Sequence, residues 1–246
     1  MSTVYRMKLA EIPFELQCVS DRHHPLFDKY STDDEPLFSI SMDEAVLKRM
    51  ELENAARRIA EGDVPPKGYI EFAEKYILFI LLKERFLDYG VFTLHGSSLI
   101  LDGNGYVFTA HSGTGKSTHA SLWRRAFGDR CVMINDDRPL LRRTDGILRV
   151  YGSPFSGKHQ LDSNTSAPLK AIAQIVRADS THVERVSPQE AFPLLLEQFF
   201  GVFTAEDLSK VVPMANAILT EVPFYRLYCN TDPGAAEIAL AGLKTV

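Results

Sequence analysis

From residue 91 onward the chain alternates short apolar runs with longer amphipathic stretches. The runs at 91–94, 98–101, 106–109, 131–134, 148–151, 171–176 and 224–229 read as strands, because they are short, apolar and bounded by turn formers. Asp102-Gly103-Asn104-Gly105 marks a tight turn between two of them. Between the strands lie helical patterns. One runs over 117–127 and ends at Gly128, and one is announced by Ser187 as N-cap with Pro188 and Glu190 following. A third covers 208–221 and is expected to break or kink at Pro213, and a fourth closes the chain over 234–243. Strands alternating with helices predict an α/β domain over residues 91–246 with a central sheet.

Residues 1–90 carry another pattern. Short strand-like pieces at 4–9, 14–19 and 37–40 surround a polar, turn-rich stretch. Ser41-Met42-Asp43-Glu44 has capping-box spacing and opens a helix expected to reach Glu61, where Gly62 and Pro65-Pro66 stop it. A second helix, over 69–89, is apolar on most sides. This region is read as a small α+β unit whose expected role is recognition of an acceptor.

Composition narrows the picture. Of 246 residues, 45% are hydrophobic and 24% charged, as in ordinary globular chains. The net charge of −5 gives no overall field that would draw nucleic acid, so none is expected as a partner. Cys18, Cys131 and Cys229 lie far apart, which fits neither a disulfide framework nor a zinc site and points to a cytoplasmic location. The longest apolar run, 77–82, falls well short of the ~20 residues of a membrane span, so no membrane association is expected.

The chemistry-bearing segment follows the strand at 106–109. Ser112-Gly113-Thr114-Gly115-Lys116-Ser117-Thr118 matches the pattern G-x-x-x-x-G-K-[ST], with Ala110 in place of the first glycine. A loop of backbone N–H groups feeding a helix N-terminus supplies donors and a favourable dipole to a polyphosphate. Lys116 would reach the β- and γ-phosphates of ATP, and the Ser117 hydroxyl would hold Mg²⁺. Twenty residues past Lys116, after the apolar run 131–134, come Asp136 and Asp137. Two adjacent carboxylates at the carboxyl end of a neighbouring strand suit two tasks, holding Mg²⁺ and accepting the proton of an attacking hydroxyl. Asp136 is assigned to the metal and Asp137 to the proton. Trp123, the only tryptophan, sits at a helical position suited to core packing.

The stretch from Thr93 to Arg142 resembles the catalytic core of HPr kinase/phosphorylase and its nucleotide-binding relatives, including phosphoenolpyruvate carboxykinase. Three features carry the resemblance: His95-Gly96 one hairpin before the loop, the loop itself, and Asn135-Asp136-Asp137-Arg138. It covers residues 90 to 160 best and is of the kind seen in small stand-alone bacterial relatives. It implies a P-loop fold of the HPr kinase/phosphoenolpyruvate carboxykinase type and transfer of a phosphoryl group to a hydroxyl, in that family a serine of a protein. It also implies His95 beside the phosphates and Lys158, in a loop that contacts substrate or metal, steadying phosphate charge. Residues 1–90 do not resemble the family's N-terminal domain, so HPr itself is not the implied acceptor.

The resulting expectation is a Mg²⁺-dependent ATP phosphotransferase acting on a peptide or protein, with homo-oligomers common among the relatives. Two alternatives stay open: a small-metabolite kinase, since such enzymes also place an acid about 20 residues past the lysine, and an ATP-binding sensor or scaffold without transfer.

Overall fold

The computed structural model describes residues 3–18, 25–41, 45, 48, 69–157, 159–199 and 204–244, with the backbone alone at 25–26 and over 69–76. It divides into two units, Met1–Phe86 and Leu87–Val246. The helix expected to open at Ser41 lies outside the described residues, as does Lys158.

In the first unit, β1 (Val4–Leu9) and β2 (Ile12–Gln17) form an antiparallel hairpin with Leu9 opposite Ile12. The two-residue turn Ala10-Glu11 has both residues at positive φ, the mirror-type geometry that matches strand twist. α1 (Pro25–Asp28) is one turn long, and β3 (Ser39–Ser41) runs parallel to β2. Alternate residues Tyr5, Met7 and Leu9 and their partners Ile12, Phe14 and Leu16 are buried, giving the sheet one apolar face. Phe14 stacks on Phe38 at 5.6 Å and meets Phe86 edge-on at 5.8 Å. Phe86 belongs to α2 (Tyr69–Asp88), the predicted apolar helix, in which Ile77, Leu78, Phe79 and Leu82 are buried.

Among the described residues, the second unit is built on a sheet of nine strands. β4 (Val91–Thr93), β5 (Gly96–Leu101), β6 (Asn104–Thr109) and β7 (Cys131–Asn135) frame the loop and the acids. β8 (Leu140–Thr144), β9 (Ile147–Tyr151), β10 (Ser166–Arg177), β11 (His182–Val186) and β12 (Phe224–Cys229) complete the sheet. β10 is twice the length its apolar run predicts. Its first residues pair with β9, and after a register shift between Leu169 and Ala171 it lies between β6 and β12. β8 and β11 have weak apolar patterns, since Arg142, Arg143, Glu184 and Arg185 interrupt them, and neither is legible as a strand without its partner.

Helices cover both faces. α3 (Lys116–Phe127) and α6 (Ala235–Lys244) pack on one face over Tyr106, Phe108, Tyr225 and Leu227. α4 (Pro188–Glu197) and α5 (Ala205–Glu221) pack on the other, over Val107, Ile134, Ile172 and Phe224. Neighbouring residues on β6 thus serve opposite cores, the period-two rule of a strand buried on both sides. The three layers give a mixed α/β fold. α5 starts earlier than predicted because Thr204 and Asp207 form a capping box, and it continues through Pro213. Trp123 is fully buried against Tyr106 and Phe108, as its helical position predicts. No described helix is long and apolar enough to cross a membrane.

Candidate functional site

β6 is parallel to β10, and β10 to β12, while β5 runs antiparallel to both β6 and β7. The carboxyl ends of β6, β7, β10 and β12 therefore share one end of the sheet with the start of β5. The acid turn is not on the strand next to the loop, as the sequence suggests. β5 intervenes, and its first residues, His95-Gly96, enter between the two. Gly96 fits because a side chain there would press on the Phe108 carbonyl oxygen, 2.9 Å from an added Cβ. The Thr109 hydroxyl donates to the His95 carbonyl at 2.9 Å, and the Gly96 N–H to the Asp137 carbonyl at 2.9 Å.

The loop between β6 and α3 turns on two glycines with positive φ, Gly113 at 76° and Gly115 at 129°, a backbone that other residues adopt only with strain. Ser112, Ser117 and Thr118 are exposed, whereas Lys116 is buried. The Lys116 ammonium donates to the Ala110 carbonyl at 2.8 Å and lies 3.4 Å from that of His111. Burial pushes its pKa down, against the opposing pull of the Asp137 carboxylate. The Arg177 guanidinium, at the end of β10, donates to the carbonyls of Gly113 and Thr114. The loop's two cations are thus occupied by the loop's own carbonyls.

The acid turn is held differently. Asn135, completely buried, accepts from the backbone N–H groups of Asp137 and Arg138 at 2.8 and 2.6 Å. Its amide donates to the carbonyl and hydroxyl oxygens of Ser153 at 2.8 and 3.2 Å. The Ser97 hydroxyl donates to the Asp136 carbonyl at 3.2 Å. Asp136 is buried, and one carboxylate oxygen accepts the Gly157 N–H at 2.7 Å. Asp137 is more open, with Arg138 Nε at 3.2 Å and His95 Nε2 at 3.6 Å. Burial first, then the Lys116 charge, hold the His95 pKa below its ordinary value, and Asp137 only partly offsets them. The lowered pKa favours the neutral imidazole, whose Nε2 lies 3.6 Å from Asp137.

His95, Lys116, Asp137 and Arg138 thus share one electrostatic neighbourhood. Asn135, Ser153, Gly157 and Arg177 also shape the site, and sequence reading gave none of them a role of its own. A buried asparagine straight after an apolar run was the available signal for the first. Among the described residues no three His, Cys, Asp or Glu side chains cluster to hold a metal. A hard cation held by Ser117 and Asp136 needs only those two protein oxygens, because Mg²⁺ takes its other ligands from phosphate and water.

Clefts of about 430 Å³ and about 400 Å³ border the loop, and both include Arg177 in their walls. A wider one of about 750 Å³ runs beside α3 and β7, lined by Arg124, Arg125 and Asp162, and holds none of the residues assigned above.

No protein-family model matches the chain, and no curated protein does. Among solved structures it is similar to the Hpr(Ser) kinase/phosphatase from Coxiella burnetii, with 13% identity over 52% of this chain and 92% of that one, at a TM-score of 0.30. No family is assigned on that ground.

Proposed function

We propose that the chain is a Mg²⁺-dependent ATP phosphotransferase that phosphorylates a hydroxyl, foremost a serine of a peptide or protein. The observation that carries this reading is the meeting of a buried lysine at a helix N-terminus with a pinned acid pair across one strand. Ser117 and Asp136 would hold Mg²⁺, which when bound neutralises charge on the β- and γ-phosphates. Asp136 suits that task because the Gly157 N–H fixes one oxygen and leaves the other for a ligand. Asp137, more open, takes the proton of the acceptor hydroxyl as its oxygen bonds to the γ-phosphorus. The bond to the β,γ-bridging oxygen breaks, and ADP leaves. Lys116, drawn from its carbonyl partners by the phosphates, offsets charge on the leaving and transferred groups. His95 Nε2 stands 3.6 Å from Asp137, which Arg138 already pairs, and burial lowers the His95 pKa.

The test is transfer from γ-³²P-ATP with Mg²⁺ to a pool of cellular peptides and metabolites, comparing wild type with Lys116→Ala. Label on a peptide or protein, reduced about 10²–10³-fold in the variant, is the expected result. Label on a metabolite would make it a small-molecule kinase. ATP binding that depends on Lys116 without any transfer would make it a sensor.

A further inference from the structure

We propose that the cleft of about 750 Å³ between α3 and β7 is the docking groove for an acidic stretch of the acceptor polypeptide, several residues away from the serine that reaches Asp137. This rests on the reading of the chain as a peptide or protein phosphotransferase. Strand order places the groove. β7 closes one end of the sheet: β5 pairs with one of its edges, and no described strand lies beyond the other. The same strand runs into Asn135 and the acid turn. Cys131, Val132 and Met133 line the groove, so its floor stands four to six residues before Asp137. At about 3.3 Å per extended residue, a segment bound there lies roughly 13–20 Å from the proposed base.

Charge selects the occupant. Ser121, Arg124 and Arg125 stand at i, i+3 and i+4 on α3 and therefore share one helix face. Both arginines are exposed. Among the described residues no ion pair engages either one, whereas nearby Arg130 is clamped by the Asp102 carboxylate. Two acids also line the groove. Asp162 is buried, so little of it meets a ligand, and Asp129 lies past the helix end in the turn Gly128–Arg130. Two open guanidinium groups remain, on a chain whose net charge is −5. Each can take a carboxylate in a pair of charge-assisted hydrogen bonds. Val132, 45% exposed on the strand, adds an apolar contact beside them.

A second observation ties the groove to the acid turn. Gln160, Leu161 and Asp162 form one of its walls, and that wall is fastened on both sides. Upstream, the Gly157 N–H holds Asp136, and the Gly157 carbonyl accepts the Gln160 N–H at 3.0 Å. Downstream, the Ser163 N–H donates to the Ile134 carbonyl at 3.0 Å and its hydroxyl to the Met133 carbonyl at 2.6 Å. One short wall thus joins the groove to the residue assigned to Mg²⁺. Ser163 covers the strand edge next to the acid turn and leaves the part at Cys131 and Val132 to the groove. An extended segment is the natural complement of such an open edge. A polypeptide, unlike a compact metabolite, can span both the groove and the acid turn.

The experiment phosphorylates a positional-scanning library of serine peptides with γ-³²P-ATP and Mg²⁺, fixing Glu, Gln or Lys in turn at each place out to about seven residues from the serine. It compares wild type, Arg124→Glu combined with Arg125→Glu, and Arg185→Glu, an exposed residue of β11 at the opposite side of the sheet. Wild type should favour Glu over Lys about tenfold or more at places roughly four to six from the serine, on one side of it. The double reversal should abolish that preference or turn it to Lys, and raise KM for the best acidic peptide about tenfold or more. Its dissociation constant for ATP should stay within about twofold of wild type. Arg185→Glu should keep the preference. A wild type indifferent to acids would overturn the groove and spare the phosphotransferase. So would an acid preference that survives the double reversal, or one lost equally in Arg185→Glu. A double reversal that no longer binds ATP has lost its fold, and Arg124→Gln combined with Arg125→Gln then reads the same loss of preference. A wild type that binds ATP and labels no peptide sinks both readings.

Discussion

The loop after β6 and the turn after β7 stand on either side of β5, yet they are held by opposite means. The loop relies on backbone geometry: two glycines at positive φ, and carbonyls that engage Lys116 and Arg177. Its Ser112, Ser117 and Thr118 side chains are exposed. The acid turn is fixed by side chains, with Asn135 alone serving four hydrogen bonds and Gly157 pinning Asp136. Under the proposed function, a part that wraps a ligand can leave its cations on exchangeable partners. A part that must present two carboxylates at a set spacing needs its bonds made beforehand, since preorganised groups need little rearrangement when charge develops.

The division of labour within the acid turn gives the largest expected effect. Asp137→Asn should lower kcat about 10²–10⁴-fold with the Mg²⁺ requirement unchanged. Asp136→Asn should instead raise the Mg²⁺ concentration needed for half-maximal rate. Equal shifts in Mg²⁺ dependence for both variants would show that the two carboxylates are not specialised.

The loop helix carries the clearest pH effect. Burial pushes the His119 pKa down to about 4. Its folded value lies below the unfolded one near 6.5, so the unfolded chain binds the extra proton and stability falls as pH drops from 6.5 towards 4. The loss by pH 4 should be roughly 3 kcal/mol at about 1.4 kcal/mol per unit. Urea unfolding of wild type and His119→Gln across that range should show a shallower pH slope in the variant. Parallel slopes would mean that His119 is hydrated in solution.

Stability separates loop from turn more finely. Asn135→Ala strips partners from a buried hydrogen-bond set and should cost about 1–3 kcal/mol, read as a lowered Tm. Gly113→Ala meets open space but forces positive φ on alanine, so it should cost only about 1 kcal/mol while weakening ATP binding. A larger Tm loss from Gly113→Ala than from Asn135→Ala would reverse the contrast.

Much of the second unit was legible in the sequence, because each clue was local. The run 106–109, the glycine pattern around Lys116 and the Ser187 cap announce a strand, a glycine-turned loop and a helix through neighbours within a few residues. Trp123 follows from helical periodicity. Less could be read where a strand depends on its partner, as β8 and β11 do, or where a cap has no glutamate to advertise it, as at Thr204.

The sequence by itself determined the chemistry available: a lysine and hydroxyls on a glycine loop, and two carboxylates twenty residues later. Only the tertiary structure decided how these groups meet. It set β5 between the loop and the acids, carried His95 to Asp137, and brought Arg177 and Gly157, each more than twenty residues from its partner, onto the loop and Asp136. The physical reason is that glycine φ angles, caps and apolar periods act over a few residues. Strand order and long-range hydrogen bonds are chosen by the whole core, as the sheet buries both faces at once.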